Sequence, residues 1–251
     1  MSDDLTGKVA VITGAAGSIG AATARAFAAA GAELVLADLD ADRLSALADE
    51  LGAAAAVTDV TDTDQVRAAV ALAGERFGGL DVAFANAGVF GEVAELVDYP
   101  EDVFDRVMAV NVRGSFLLCK HALAAMRDGG SVIINSSVVG LTSDPGISAY
   151  ATSKHALVGL MRTAAQESAA RGIRVNTIHP GPVDNDFQHR IELTATGAPS
   201  EAEAAAAFEE NIPLRRHATP EEIARTVLFL ASDASAFMTG ATVPVDGGMS
   251  I

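Results

Sequence analysis

The sequence predicts a doubly wound α/β fold, a three-layer sandwich built around a mostly parallel sheet. Seven short, β-rich and almost continuously apolar runs alternate along the chain with stretches of helical length. Strands without polar alternation are covered on both faces, and that arrangement belongs to parallel sheets wrapped by helices. A glycine-rich turn also follows the first run directly, where such folds make their tightest strand-to-helix connection.

The elements follow in order. KVAVIT (8–13) is the first strand, and IGAATARAFAAAG (19–31) is an Ala-rich helix ending at Gly31. ELVLAD (33–38) is the second strand, followed by a helix to about Leu51. AAAAVTD (53–59) is the weakest strand, because alanine is a poor strand former. A helix runs from about Thr63 to Phe77, and LDVAFANAG (80–88) is a strand leading into a loop. Residues 101–126 read as one long helix despite Gly114, and GSVIINSS (130–137) as a strand. A second long helix covers 148–170, and IRVNTIHPG (173–181) is the sixth strand. A polar, Ala/Glu-rich stretch follows, with an exposed or mobile helix at 201–210. A helix opened by TPEEI (219–223) and a last strand, ATVPVD (241–246), complete the chain.

The 251 residues are half apolar, enough for one large domain, and no linker, repeat or low-complexity tract divides them. A single domain over 1–251 is expected, with a substrate lid at about 184–212. The start, MSDDLTGKVAVITG, does not read as a signal peptide, and the apolar stretches are too short to span a membrane. Cys119 is the only cysteine and falls within an apolar helical pattern, as a small core residue does; a cytoplasmic protein is expected. A net charge of −16 repels phosphate backbones and anionic lipid, so neither nucleic acid nor a membrane surface is an expected partner. The five histidines form no cluster with metal-ligand spacing, and no metal site is expected.

Ligands of such sheets bind beyond the carboxyl ends of the strands. After the first strand, TGAAGSIG (13–20) places glycines at 14, 17 and 20. There the chain must turn tightly, and a helix N-terminus can offer free N–H groups to a pyrophosphate. Asp38 ends the second strand, 18 residues beyond Gly20. A carboxylate there can accept both hydroxyls of an adenosine ribose and repels a 2′-phosphate. No Arg or Lys lies in 14–20 or directly after Asp38, so charge favours NAD over NADP.

Tyr150 and Lys154 are four residues apart in a helix and share one face. A free phenol, at a pKa of about 10, is too weak a base near neutral pH. A neighbouring ammonium favours the phenolate and would make it a usable acid/base for an alcohol proton. Ser136 and Ser137 close a strand 13 residues earlier, where a hydroxyl could bond a substrate oxygen. No G-x-S-x-G elbow accompanies them, which counts against a serine hydrolase. Asn111 is polar in an apolar stretch and could either brace its helix or hold a water that passes a proton to Lys154.

These residues resemble, over essentially the full length and in order, the short-chain dehydrogenases/reductases. The resemblance is carried by TGAAGSIG, Asp38, Asp59–Val60, NAG (86–88), Asn111, SSVVG (136–140), YATSK (150–154), PG (180–181) and VDGG (245–248). It implies a Rossmann-type, seven-stranded fold and a catalytic tetrad of Asn111, Ser137, Tyr150 and Lys154. Tyr150 would be the acid/base, Lys154 would lower its pKa and hold the nicotinamide ribose, Ser137 would polarise the substrate oxygen, and Asn111 would support a water relay. Cofactor contacts would come from Gly14, Gly17, Ser18, Ile19 and Gly20, from Asp38, from Asp59 and Val60 around adenine, and from Asn86, Ala87 and Gly88. Pro180, Gly181, Val183 and Asn185 would place the carboxamide. Ser18 stands where the family has its middle glycine, and Asn185 near where it often has a threonine. A homotetramer packed through the two long helices and the C-terminal end is also implied.

The substrate region is expected from Val89–Val97, Val138–Ser148 and Asp184–Ile212, with Phe90, Ser137, Val139, Tyr150 and Phe187 as contacts. The first two segments offer Val89, Phe90, Val139, Leu141 and Ile147, mostly apolar with Thr142 and Ser143, which favours an uncharged, fairly hydrophobic alcohol or ketone. His189 and Arg190 are either surface residues or a place for an anionic substrate. The expected activity is NAD(H)-dependent interconversion of a secondary alcohol and its ketone. The alternatives are a 3-oxoacyl-thioester reductase, usually an NADPH enzyme and so disfavoured by Asp38, and a non-catalytic NAD(H)-sensing regulator.

Overall fold

The computed structural model describes residues 4–251. Its seven strands form one sheet in the order β3-β2-β1-β4-β5-β6-β7. The strands are β1 (Val9–Thr13), β2 (Glu33–Asp38), β3 (Ala54–Val57), β4 (Leu80–Ala85), β5 (Met126–Asn135), β6 (Arg174–Pro180) and β7 (Thr242–Val245). Every neighbouring pair is parallel, so the sheet is wholly rather than mostly parallel. β1 and β4 are buried at every residue, as their largely apolar sequences require, and the one acid among them, Asp81, is bonded by Arg127 (2.7 Å) and the Val9 amide (2.9 Å). The Ala-rich β3 alternates half-buried and exposed residues because it lies at the sheet edge.

Helices α1 (Ser18–Ala29), α2 (Ala41–Leu51) and α9 (Pro220–Ala231) cover one face around Phe27, Leu36, Phe84 and Leu230. Helices α3 (Thr63–Phe77), α4 (Glu101–Val107), α5 (Ser115–Ala125) and α6 (Ser148–Ser168) lie on the other side of the sheet, where Leu118, Cys119, Ile134, Leu157 and Met161 are buried. Cys119 is a core residue, its thiol pushed up to about 12 by burial. Side-chain caps mark several helix starts: Asp40 accepts from the Arg43 amide, Asp62 from those of Asp64 and Gln65. At α9, Thr219 and Glu222 form a reciprocal capping box with Pro220 in the first turn.

The expected helix over 101–126 is interrupted by a π-helical segment, Met108–Gly114, between α4 and α5. Two tertiary contacts fall there: Asn111 turns its amide to Val89, and Gly114 presses so closely on Val60 that a Cβ would lie 2.8 Å from Cγ2. Met126 leaves the helix to begin β5, which ends at Asn135, so Ser136 and Ser137 lie just past the strand. The stretch after β6 contains two helices, α7 (Asp186–Thr196) and α8 (Glu201–Glu209); the first was not apparent from sequence. Among the described residues, no helix is long and apolar enough to cross a membrane.

Candidate active site

The chain winds outward from β1 through β2 to β3, then returns to place β4 on the other side of β1. The carboxyl ends of β1 and β4 therefore open onto one cleft of about 1040 Å³, reaching from Asp38 to Phe208. Its floor is the glycine turn. Gly14 adopts φ +64, and a Cβ there would meet the Ala87 backbone at 2.8 Å. At Gly20 a Cβ would lie 2.1 Å from the Gly14 carbonyl oxygen. Only glycine permits α1 to approach the strand end this closely.

Gly17 caps α1 without a side-chain hydrogen bond, and no acid occupies the first turn. The leading N–H groups of α1 are thus left for an anion at the cleft wall, where Gly17, Ser18 and Ile19 lie. Ser18 is the first helical residue of α1, a position that needs no glycine. Gly20 does not line the cleft itself; it permits the approach that shapes it.

At one end, Asp38 Oδ2 accepts from the Ala16 amide (2.9 Å) and Oδ1 from that of Asp40 (3.0 Å). A carboxylate with about four acceptor sites keeps capacity for ribose hydroxyls. Asp59 and Val60 line the same end, although Asp59 Oδ1 is engaged by the amide and hydroxyl of its own turn residue Thr61, both at 2.8 Å. Arg43, not singled out in the sequence, also reaches this wall because α2 turns it back toward Asp40, 3.5 Å away.

A chain of amides crosses the cleft floor. Asn86 Nδ2 donates to the Gly14 carbonyl (2.9 Å), and Asn135 Nδ2 donates to Asn86 Oδ1 (2.9 Å). Asn135 also offers its backbone carbonyl to Lys154 Nζ at 2.9 Å. Gly88 packs closely here: a Cβ would lie 3.3 Å from Asn111 Oδ1 and 3.7 Å from Lys154 Nζ, so that amide would have to give by a few tenths of an ångström. Asn111 sits behind the cleft, buried. Its Oδ1 accepts from the Val89 amide (2.8 Å), and its Nδ2 donates to the Val89 carbonyl (2.9 Å) and Ser153 Oγ (3.0 Å). Both amide hydrogens are committed, so its side chain braces the loop after β4.

Tyr150 and Lys154 share a face of α6, with Nζ 5.3 Å from the ring centroid. Ser137 hydrogen-bonds the Tyr150 phenol, whereas Ser136 Oγ is buried and donates to the Lys154 carbonyl (2.9 Å). Both serines border the cleft, but the Ser136 hydroxyl is spent on α6 while that of Ser137 reaches Tyr150. Burial pushes the phenol up to about 12, opposed by its bond to Ser137, and pushes the Lys154 ammonium down to about 8. The lysine was expected to depress the phenol. Here its Nζ is turned to Asn135 O, and removal from water dominates both groups.

After β6, Pro180, Gly181 and Val183 line the cleft. Gly181 is backed so closely that a Cβ would fall 2.9 Å from Asp246 Cα. Asn185 lines it too, while its Oδ1 caps α7 by accepting from the Gln188 amide (2.8 Å). The end near Tyr150 is largely apolar: Phe90 tilts against Tyr150 at 5.1 Å between ring centroids, with Val139, Ile147 and Phe187 around them. Leu141, Thr142 and Ser143 lie outside the cleft, because the turn after Gly140 carries them into solvent. Val93, Ile191, Phe208 and Met249 join the wall instead. They come from separate segments, and no local pattern marks them. His189 and Arg190 are not in the wall; His189 pairs with Asp184 at 3.0 Å.

These residues suit a nicotinamide dinucleotide: a side-chain-free cradle with open helix N–H groups, the carboxylate of Asp38 at one end, and a phenol–ammonium pair at the far end. A family model described as "Enoyl-(Acyl carrier protein) reductase" matches residues 14–250. A 3-oxoacyl-[acyl-carrier-protein] reductase of Thermotoga maritima is 37% identical over 254 residues, spanning 98% of this chain and 99% of that protein. The cis-4-hydroxycyclohexanecarboxylate dehydrogenase of Sinomonas cyclohexanicum is 40% identical, spanning 99% and 98% respectively. The crystal structure of levodione reductase superposes with a TM-score of 0.94 at 35% identity, covering 98% of each chain. With a family model over nearly the whole chain and full-length relatives of this similarity, the protein belongs to the short-chain dehydrogenase/reductase family of oxidoreductases acting on alcohol and carbonyl groups.

Proposed function

We propose that this is an NAD-dependent dehydrogenase/reductase interconverting an uncharged, fairly hydrophobic secondary alcohol and its ketone. The observation that carries the reading is one cleft with Asp38 at one end and Tyr150, beside Ser137 and Lys154, in an apolar pocket at the other. Nicotinamide, when bound, supplies the hydride acceptor or donor. Tyr150 exchanges the proton of the substrate oxygen: a phenol pushed up to about 12 is protonated at neutral pH and ready to donate to a ketone. Ser137 orients that oxygen, Lys154 holds a positive charge beside the phenol and the ribose, and Asn111 keeps the loop of Val89 and Phe90 in register.

Asp38 favours NAD through its charge, and Arg43 is drawn to Asp40 on the same wall. The relative that reduces a 3-oxoacyl-carrier-protein supports a thioester reading as the second possibility. The chain is read as one catalytic domain of a cytoplasmic homotetramer, with α7 and α8 as its lid.

Turnover of a panel of cyclic and aryl-alkyl ketones with NADH and NADPH side by side tests the assignment. Activity with NADH, and at least about tenfold less with NADPH, is expected on the charge argument. Tyr150→Phe is expected to lower kcat by about 10²–10⁴ while NADH binding stays within about threefold. Retained turnover in that variant would overturn the mechanism. NADPH-dependent reduction of a 3-oxoacyl thioester alone would replace it with the second reading.

A further inference from the structure

Helices α7 and α8 bring Phe187, Gln188, Ile191 and Phe208 to the substrate end of the cleft. Behind them lies a knot of titratable groups that the hydride-transfer chemistry does not use. Glu192 of α7 is fully buried, and His217, from the segment before α9, is nearly so. His217 Nε2 lies 2.6 Å from Glu192 Oε1, and its Nδ1 lies 3.0 Å from Glu209 Oε1 of α8. Gln188 Nε2 also donates to Glu192 Oε1 (2.9 Å), while Glu192 Oε2 has no hydrogen-bond partner.

The segment carrying His217 is itself tied to the body of the protein. Arg216 bonds the His217 carbonyl (2.9 Å) and grips Glu222 of α9 through two nitrogens at 2.6 and 2.7 Å. The Ala218 amide bonds the Pro182 carbonyl at 3.0 Å. The ring therefore joins a fixed strap to two helices at once. Only the imidazolium has an N–H on both nitrogens; a neutral ring would turn a lone pair toward one of the carboxylates.

We propose that His217 is a positioning residue which, as an imidazolium, clasps α7 and α8 over the substrate end of the cleft and releases them on losing its proton. The groups facing it are Glu192 and His189 from α7, Glu209 from α8, and Arg216 from its own segment. The His189 ring is edge-on with centroids 6.4 Å apart, partnered by Asp184 (3.0 Å) and Glu201 (4.0 Å), and Arg216 is matched by Glu222. Burial pulls the His217 ring down, but its bonds to Glu192 and Glu209 outweigh that and hold it above the ordinary 6.5. A raised value means the clasp is complete below the ordinary histidine pKa and is lost as pH rises through the raised one. A neutral ring keeps its one N–H for the buried Glu192 and turns a lone pair toward Glu209, so the tie to α8 is the one lost and the α7–α8 pair is no longer held to the strap as a unit.

That the helices close over a substrate rests on the function proposed above; the clasp itself is read without turnover. Hydrogen–deuterium exchange of the full chain from pH 5.5 to 9, corrected for intrinsic rates, measures opening of residues 186–209. Opening is expected to rise by up to about tenfold per pH unit, the limit for release of one proton, while β1 and β4 do not change. His217→Gln is expected to be open and pH-independent. In Glu209→Gln, at a partly exposed site, the new amide can donate to a neutral ring, so the clasp is expected to persist to high pH. Wild-type opening that ignores pH, or Glu209→Gln tracking wild type, would overturn the proposal. The expected exchange pattern without turnover on any ketone would instead count against the proposed function and leave the clasp standing.

Discussion

Asp38 does two things with one carboxylate: it ties the glycine turn through the Ala16 amide, and it faces the cleft. Asp38→Ala removes both and is expected to weaken NADH binding about tenfold, the equivalent of one charge-assisted hydrogen bond. Fluorescence titration measures this, and unchanged affinity would separate Asp38 from cofactor selection. At Tyr150 and Lys154 the working quantity is protonation. A phenol pushed up to about 12 must lose its proton before it can accept one from an alcohol, so kcat/KM for oxidation is expected to climb with pH. The climb is expected to bend over as Lys154, pushed down to about 8, loses its charge. Ketone reduction, which uses the protonated phenol, is expected to stay flat between pH 6 and 7.5. Opposite slopes would exclude Tyr150 as the proton carrier. The identity of this pair was legible because i and i+4 share a helical face. The direction of their shifts was not, because burial is a property of the folded surroundings.

At the scale of elements, packing decides what each glycine is for. Gly20 holds α1 against the end of β1, whereas Gly74 lies exposed inside α3 with nothing within 4 Å of a Cβ. Gly20→Ala is expected to destabilise by ~1–3 kcal/mol through overpacking and to abolish NADH binding. Gly74→Ala is expected to stabilise by ~0.5–1 kcal/mol through helix propensity. Thermal or urea unfolding of the two variants separates them; equal effects would mean that the turn at Gly20 relaxes freely. The strand–helix alternation and the TPEEI start of α9 were readable because each rests on local chemistry. The π-helical segment at Met108–Gly114 and the helix α7 were not readable. The first coincides with the contacts of Asn111 with Val89 and of Gly114 with Val60, and the second carries an apolar face matched to the cleft rather than to the sheet core.

For the molecule as a whole, a charge of −16 calls for a cofactor site built from local dipoles rather than from net attraction, and the uncapped start of α1 answers that need. The proposed tetramer gives a further test. Phe116 of α5 is 46% exposed on one of the helices through which the tetramer is proposed to pack. Size-exclusion chromatography with light scattering is expected to give about four times the 25.6 kDa chain mass, and Phe116→Glu to give a smaller species; a monomeric wild type would refute the assembly. The sequence by itself determined the fold class, the glycine turn, Asp38, the Tyr150–Lys154 pair and the family, because these depend on spacing along the chain and on the chemistry of single residues. Only the tertiary structure decided that the Ser136 hydroxyl packs on α6 while that of Ser137 reaches Tyr150, that Asn111 spends its amide on Val89, and that Met249 and Phe208 complete the pocket. It also brought Glu192, Glu209 and His217 together. Such contacts join segments distant in sequence, and they form only when the sheet and its covering helices pack.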